Sequence, residues 1–428
     1  MRFDTPNHWL NWLEGLHPKA IDLGLERVAE VWRRLALDLA PARVISVAGT
    51  NGKGSSVALL EAIYGAAGYR VGAYTSPHLL IYNERIRLEG RLVTDAELCA
   101  AFERVDQARG EISLTYFEFG TLAALSLFAE ARLDLVILEV GLGGRLDAVN
   151  IIDADLALIS SIDYDHQDWL GSDIDQIARE KGGIMRPGQP AVFNGAQPPA
   201  GLVQLAGELG VALYLAERDY RAEFSAEDWR WSAANQSYNQ LPLPALRGPH
   251  QRSNAAAVLM AVQLLQGPLP VGEQALAQGL RQVQVPGRFQ RIGLPRSVSP
   301  QMAVEVDIYL DVAHNPQGAR ALAASLDELS RTGALLAVFG LLADKDAAGV
   351  IAPLCGQVDA WFVGRPLCQR GCDPQALLRE LQHQGCSKAQ GFAQIAQAFA
   401  AARQAARPGD RILVFGSFYT VAEVMSLL

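Results

Sequence analysis

Three glycines around a lysine mark the first place where this chain could do chemistry. In V-I-S-V-A-G-T-N-G-K-G-S-S, residues 44–56, Gly49, Gly52 and Gly54 bracket Lys53, and Ser55 and Ser56 follow. Glycines let backbone N–H groups turn toward an anion, and a helix beginning there adds its positive end. Lys53 would reach the β- and γ-phosphates of a nucleotide, and a serine hydroxyl would bond a phosphate or approach Mg²⁺. The spacing G-x-x-G-K-G-S is shorter than the usual G-x-x-x-x-G-K-[ST] and carries an extra glycine after the lysine. Nucleotide binding is the expectation.

Other reactive side chains stand where apolar runs end. Ser76 follows Arg70–Tyr74, and Glu139 closes Leu133–Glu139. His166 follows Leu156–Ser161, with Asp163 and Asp165 beside it. In a parallel α/β sheet, ligands collect at the carboxyl ends of strands. A hydroxyl and a carboxylate there suit Mg²⁺. The stretch Leu114–Gly120 sets aromatics around Glu118, which suits either core packing or a flat ring ligand. In the second half, strand ends offer Asp311, His314, Asp344, Lys345 and Ser417, a set suited to a small charged substrate.

The elements that must position these groups alternate strand and helix. Residues 8–40 read as two helical segments broken at His17-Pro18, and Pro41 ends them before the glycine loop. Thr94 and Glu97 form a capping box, and a helix is expected over 121–131. Tyr82–Ile86 reads as an exposed hairpin. Residues 187–249, rich in Pro and Gly, read as less regular, with a loop or hairpin at 233–238. An alanine-rich helix is expected over 255–265. Val285-Pro286-Gly287 is the expected boundary between a domain over 1–287 and one over 288–428. Both read as parallel α/β. No G-x-G-x-x-G follows the first strand of the second domain, which argues against a dinucleotide there.

Composition narrows the partners. The 428 residues carry a net charge of −9, which argues against a nucleic-acid surface. No run of 18 apolar residues predicts a membrane span, and the N-terminus has no apolar signal core. The cytoplasm is the expected compartment. Five cysteines, an odd number without a signal peptide, read as reduced thiols. The last four, spaced C-x12-C-x3-C-x13-C, lack the paired knuckles of a zinc site.

Taken in order, the motifs resemble the folylpolyglutamate synthases within the Mur-type amide ligases. The match runs through I-D-L-G-L-E-R-V, A-G-T-N-G-K-G-S, T-S-P-H-L, N-E-R-I, L-T-Y-F-E-F-G-T, E-V-G-L-G-G-R-L-D, H-Q-D-W-L-G, R-E-K-G-G-I, P-G-R-F, D-V-A-H-N-P, D-K-D and G-S-F-Y-T-V. Residues 190–245 match least. The resemblance implies a P-loop NTPase-like N-terminal domain and a smaller Rossmann-like C-terminal domain. It implies ATP-driven addition of L-glutamate to dihydropteroate and to reduced folates through an acyl phosphate. By resemblance, Asn51, Gly52, Lys53, Gly54 and Ser55 hold ATP, with Asn254, Arg288 and Asp311 completing the nucleotide site. Ser76, Glu139 and His166 are implied Mg²⁺ ligands, and Lys181 aligns with a lysine carried as a carbamate near a second Mg²⁺. Ile21, Asp22, Leu23, Thr115, Tyr116, Phe117, Glu118, Leu146, Asp147 and Ala148 resemble the dihydropteroate pocket. Asp311, His314 and Ser417 are the implied glutamate-side groups, with Lys345 near. Catalysis is expected from Lys53, His166, Lys181, Asp311 and His314, in a monomer.

Two other readings remain for comparison. A peptidoglycan ligase would share the ATP chemistry but usually adds an N-terminal domain, for which the 43 residues before the first strand are too few. A nucleotide switch would want N-K-x-D, which is absent, and leaves the second domain without a purpose.

Overall fold

The computed structural model describes residues 2–293, 306–330, 333–386 and 388–428. Val304 and Glu305, assigned from sequence to a strand, lie outside the described residues. The chain divides into two compact units. One comprises Met1–Ala245 with Gln251–Gln284, and the other Leu246–His250 with Val285–Leu428.

The first unit is built on an eight-stranded sheet. Its strands are β1 (Arg43–Ala48), β2 (Val71–Tyr74), β3 (Ile86–Leu88), β4 (Arg91–Leu92), β5 (Leu135–Glu139), β6 (Leu156–Ile159), β7 (Ala191–Phe193) and β8 (Leu213–Leu215), ordered 4-3-2-5-1-6-7-8. Strands β2, β5, β1, β6, β7 and β8 run parallel, and β3 and β4 form an antiparallel edge. β5 is buried at every residue. That is why it reads as an unbroken apolar run: a central parallel strand is covered on both faces. Register fixes the working edge. Val47 pairs with Glu139, Tyr74 with Leu138 and Ala48 with Ile159, so β2, β5, β1 and β6 end nearly level.

The helix Lys53–Ala66 leaves the end of β1 and packs on β1, β2 and β5. Its outer side is covered in turn by the helix Glu273–Gln282. A Cβ on Gly279 would stand 2.6 Å from the Ile63 Cα, so the two backbones nearly touch. A helix covered on both sides needs no polar stripe, which explains the apolar V-A-L-L-E-A-I-Y run after the glycine loop.

Sequence and structure part in three places here. The helix expected from Thr121 begins at Tyr116, with Thr115 as its cap. Glu118 completes a capping box there: Thr115 Oγ1 accepts from Glu118 N, and a Glu118 carboxylate oxygen accepts from Thr115 N. The aromatic stretch is therefore the first turn of a helix. Tyr82–Arg85 is a 3-10 turn with Tyr82, Asn83 and Arg85 buried, not an exposed hairpin. Residues 187–249 are more regular than their Pro and Gly content suggests. They hold β7, β8 and an antiparallel sheet of β9 (Tyr220–Phe224), β10 (Asp228–Ala233) and β11 (Gln236–Pro242). Trp229 and Trp231 are buried from alternate positions of β10. Only the hairpin at 233–238 was legible.

The second unit carries a six-stranded sheet of β12 (Gln290–Gly293), β13 (Asp307–Asp311), β14 (Leu335–Phe339), β15 (Ala360–Val363), β16 (Ala389–Gly391) and β17 (Arg411–Phe415), ordered 12-13-17-14-15-16. All but β12 are parallel.

The reduced-thiol expectation is corrected in this unit. Cys355 and Cys386 are joined in a disulfide with Cα atoms 5.8 Å apart. The physical reason is local packing: the helices Ala347–Ile351 and Pro374–His383, which precede the two cysteines, lie against each other. Spacing along the chain could not show that. Alkylation of the oxidised, unfolded protein is expected to label Cys99, Cys368 and Cys372 but neither Cys355 nor Cys386. Peptide mapping by mass spectrometry checks this, and labelling of all five would refute the pairing.

Candidate active site

The glycine loop is pinned from one side and shaped for an anion on the other. Thr50 N donates to Ser161 O at 2.7 Å, and Asn51 N to Ser161 Oγ at 3.0 Å. Ser160 Oγ and Ser161 Oγ donate to Asn51 O at 2.7 and 3.0 Å. A Cβ on Gly49 would fall 2.1 Å from Ser160 Oγ, and one on Gly52 2.8 Å from Asn254 Oδ1. Gly52 also has φ +86°, which disfavours any other residue. Asn254 is buried, accepts from Asn194 Nδ2 at 2.8 Å and donates to Gln251 at 3.1 Å.

Positive charge is concentrated on one oxygen of this loop. Lys53 Nζ and Lys181 Nζ each lie 3.1 Å from the Gly49 carbonyl. Lys181 is buried, and burial first, then the Lys53 charge, pushes its ammonium down to about 7. The loop 141–147 backs this lysine: Arg145 N donates to Glu180 O at 2.8 Å, and its guanidinium pairs with the Glu180 carboxylate. Asp147 is buried and accepts from Leu142 N and Val149 N. Burial pushes its carboxyl up to about 6, against the pull of those amides and of Lys53.

At the neighbouring strand ends, Ser76 N donates to Glu139 Oε2 at 3.3 Å, and Glu139 is buried. His166 stands apart in character. It caps the short helix Gln167–Leu170 with φ +51°, and its side chain is 42% exposed. Its Nε2 lies 4.0 Å from Asp165 Oδ2. Among the described residues no three His, Cys, Asp or Glu side chains cluster as a metal site. The Ser76–Glu139 pair does suit a hard cation that keeps several waters. The fit to a Mg²⁺-nucleotide rests on further geometry. The Ser55 hydroxyl is buried in the first turn after the loop with no protein partner among the described residues. It stands where a phosphate oxygen or cation would satisfy it.

Two of the residues expected to hold the pterin, Asp22 and Glu118, are joined by one guanidinium that sequence reasoning missed. Arg27 Nη1 donates to Asp22 Oδ2 at 2.7 Å, and its Nη2 to Glu118 Oε1 at 3.0 Å. His17 Nε2 is 3.3 Å from the same Asp22 oxygen. Of the other residues expected there, Ile21, Leu23, Tyr116, Phe117 and Leu146 are half-buried, and Thr115 and Ala148 are buried. Phe117 closes on the glycine-rich loop, 2.7 Å from where a Cβ on Gly141 would sit. Ser160 and Ser161 were missed for the same reason as Arg27. Each works on a segment remote in sequence. A serine pair ending an apolar strand at the ligand edge was the one available signal.

In the second unit, Asp311 ends β13 buried, accepting from Phe289 N and Ala313 N at 2.8 Å each. Burial raises its carboxyl above the usual range, and Arg288 and both amides oppose that. Arg288 lies over the Phe418 ring at 5.1 Å, and the His314 ring is 6.2 Å from that ring. His314 Nδ1 donates to Val312 O at 2.8 Å. Ser417 is buried as the cap of the helix Phe418–Met425, accepting from Thr420 N at 3.0 Å. Asp344 is held by Arg370 at 2.6 and 3.1 Å, on the loop before the helix Ala347–Ile351. Lys345 follows it there.

Residues 47–262 match the Mur ligase middle domain, and residues 287–418 match the Mur ligase, glutamate ligase domain. The chain is 45% identical over 421 residues to the dihydrofolate synthase/folylpolyglutamate synthase of Escherichia coli (strain K12), spanning 98% of this chain and 94% of that one. Its fold matches E. coli FolC in complex with DHPP and ADP, with a TM-score of 0.91 at 44% identity, covering 99% and 97% of the two chains. It also matches a bifunctional folylpolyglutamate synthase/dihydrofolate synthase with Mn, AMPPNP and L-glutamate bound, with a TM-score of 0.88 at 43% identity, covering 99% and 98%. With both Mur ligase domains matched and close relatives aligned from end to end, the chain belongs to the dihydrofolate synthase/folylpolyglutamate synthase family of Mur ligases.

Proposed function

We propose that this enzyme adds L-glutamate to dihydropteroate, forming dihydrofolate, and to reduced folates, forming folylpolyglutamates, at the expense of ATP. The observation that carries the reading is the pair of lysines on the Gly49 carbonyl, beside a buried Ser55 hydroxyl and the Ser76–Glu139 pair. Lys53 supplies the fixed positive charge for a polyanion, and Lys181 on the same carbonyl, pushed down to about 7, is the amine open to modification.

The reaction proceeds in two balanced steps. A carboxylate oxygen of the acceptor attacks the γ-phosphorus of ATP, and ADP leaves. The glutamate amine then attacks the acyl carbon, phosphate leaves and the amine proton is lost. Phosphoryl transfer asks for positioning and charge neutralisation more than for covalent help. Asn51, Gly52, Lys53, Gly54 and Ser55 hold the phosphates, with Asn254 behind the loop. Mg²⁺ would spread the negative charge of the transferring group, held by Ser76, Glu139 and His166, with a carbamylated Lys181 near a second ion. Lys181, pushed down to about 7, offers at neutral pH the uncharged amine that carbamate formation needs. In the acceptor pocket, Asp22 and Glu118 are fixed by Arg27, between the half-buried Ile21 and Leu23 and the Thr115–Phe117 helix start. Leu146, Asp147 and Ala148 line its other side. Asp311, Arg288, His314 and Ser417 of the second domain, residues 288–428, serve the glutamate and the nucleotide, with Lys345 near them. The enzyme is assigned to the cytoplasm as a monomer.

Incubation with dihydropteroate, L-glutamate, ATP and Mg²⁺ is expected to yield dihydrofolate and one phosphate per amide. A reduced folate should replace dihydropteroate as acceptor. Phosphate release that needs no pterin acceptor, or that needs a nucleotide-sugar one, would refute the assignment.

A further inference from the structure

The N-E-R-I segment, residues 83–86, has no place in the chemistry above, yet its side chains are not idle. Glu84 accepts from three successive backbone amides: Leu79 N at Oε2 (2.7 Å), and Leu80 N and Ile81 N at Oε1 (2.7 and 2.8 Å). Isoleucine has no side-chain acceptor, so the reciprocal bond of this turn runs from Glu84 N to the Ile81 carbonyl at 3.1 Å. Arg85, buried over the Tyr82 and Tyr116 rings, donates from Nε to His78 Nδ1 at 2.9 Å. Thr75 N donates to Arg85 O at 2.8 Å, and Arg87 bridges Thr75 Oγ1 and Glu84 O. Asn83 ties the segment to Val93 O and Asp95.

Residues 83–87 thus grip the loop 75–81 at Thr75, His78, Leu79, Leu80 and Ile81, and Ser76 lies within the gripped stretch. Apolar packing does little for the tip of this loop: Leu80 and Ile81 are 50% and 52% exposed. The loop's path therefore depends on polar holds, and Glu84 supplies three of them. We propose that Glu84 is a positioning residue for the divalent cation: by caging the amides of Leu79, Leu80 and Ile81 it holds the loop that presents Ser76 beside Glu139. The proposal rests on the assignment of Ser76 to the cation. It acts as outer partners of metal ligands do, setting the ligand's place without touching the metal.

The test is Glu84→Gln, which keeps the size but turns a donor toward Leu79 N. Hydrogen exchange at the amides of residues 79–81 is expected to quicken in the ligand-free protein. The Kd for Mn²⁺ in the presence of a non-hydrolysable ATP analogue, and the Mg²⁺ concentration for half-activation, should both rise about tenfold. The KM for dihydropteroate and kcat at saturating Mg²⁺ should stay within about twofold, as loss of an outer partner weakens the metal rather than the chemistry. Glu84→Asp, which keeps the charge on a shorter arm, is expected between the two and serves if the amide variant folds poorly. Unchanged exchange would overturn the cage. Faster exchange with wild-type cation affinity would overturn its link to Ser76, and so would a loss of kcat that Mg²⁺ cannot restore. Ser76→Ala separates the two layers. If it leaves cation affinity unchanged, the assignment of Ser76 falls and the proposal with it, whereas the exchange data still report on the cage.

Discussion

Lys53→Ala is expected to abolish ATP-dependent glutamate addition while leaving a folded protein. Two losses combine. The first is direct: on the proposed reading, the ammonium that lies 3.1 Å from the Gly49 carbonyl supplies the charge that follows the γ-phosphoryl group as it transfers. Preorganised charge of this kind is worth roughly 10²–10³ in rate per donor removed. The second loss passes through Lys181. After burial, the Lys53 charge is the next cause holding the Lys181 ammonium down toward 7, so its removal raises the protonated share of Lys181 while burial still opposes it. A protonated lysine cannot take up CO₂, so a change at one cation weakens the other's function. The fold should survive, because Lys53 opens its helix half-exposed and among the described residues its Nζ bonds reach only the carbonyls of its own loop, at Gly49 and Thr50. Phosphate release with dihydropteroate and glutamate measures the first loss. Nucleotide affinity by calorimetry shows whether the cradle still binds. Near-normal turnover by a folded variant would remove the phosphate-loop reading.

What the sequence showed of this site followed strand ends, and what it hid followed tertiary reach. β1, β2, β5 and β6 were legible because buried parallel strands are continuous apolar runs, so the polar residue ending each one stands out. Gly49–Ser55, Ser76 and Glu139 were singled out that way as candidates. Arg27 was not, since nothing local tells an arginine on a helix that it will pair with Glu118, ninety-one residues on. The N-E-R-I turn was misread as exposed because its polarity suggested water. In fact its polar groups are spent on backbone, Glu84 on the neighbouring loop and Asn83 on Val93 O. The helix from Tyr116 was started late because aromatics favour strands as intrinsic formers. The Thr115–Glu118 capping box overrides that preference, and the same signature had been read correctly at Thr94–Glu97. The disulfide of Cys355 and Cys386 needed the packing of two helices to be seen at all.

Lys181 supports the second large prediction. Lys181→Ala is expected to lose nearly all activity, by about 10²-fold or more if it removes a carboxylate that neutralises the transferring charge. Millimolar acetate should restore part of it, since truncation leaves room where a small carboxylate can replace the carbamate. Lys181→Met, which fills that room, should not be rescued. A pH test on stability is independent of turnover. The folded protein holds Lys181 near 7, whereas the unfolded chain keeps it near the ordinary lysine value of 10.5. Between those values the unfolded state binds more protons, so this group makes the CO₂-free protein more stable as pH rises from about 7 toward 10.5. Below 7 the charged amine is buried at full cost. Lys181→Met should therefore be the more stable protein at pH 6.5, with its advantage shrinking as pH rises. Bicarbonate should stabilise the wild type and not the variant, because only an uncharged amine adds CO₂ and yields a carbamate beside Lys53. Equal denaturation midpoints for the two proteins across that range would show that Lys181 is solvated and ordinary. Acetate rescue of neither variant, with an unmodified amine in the Mg²⁺-bound active enzyme, would remove the carbamate from the mechanism.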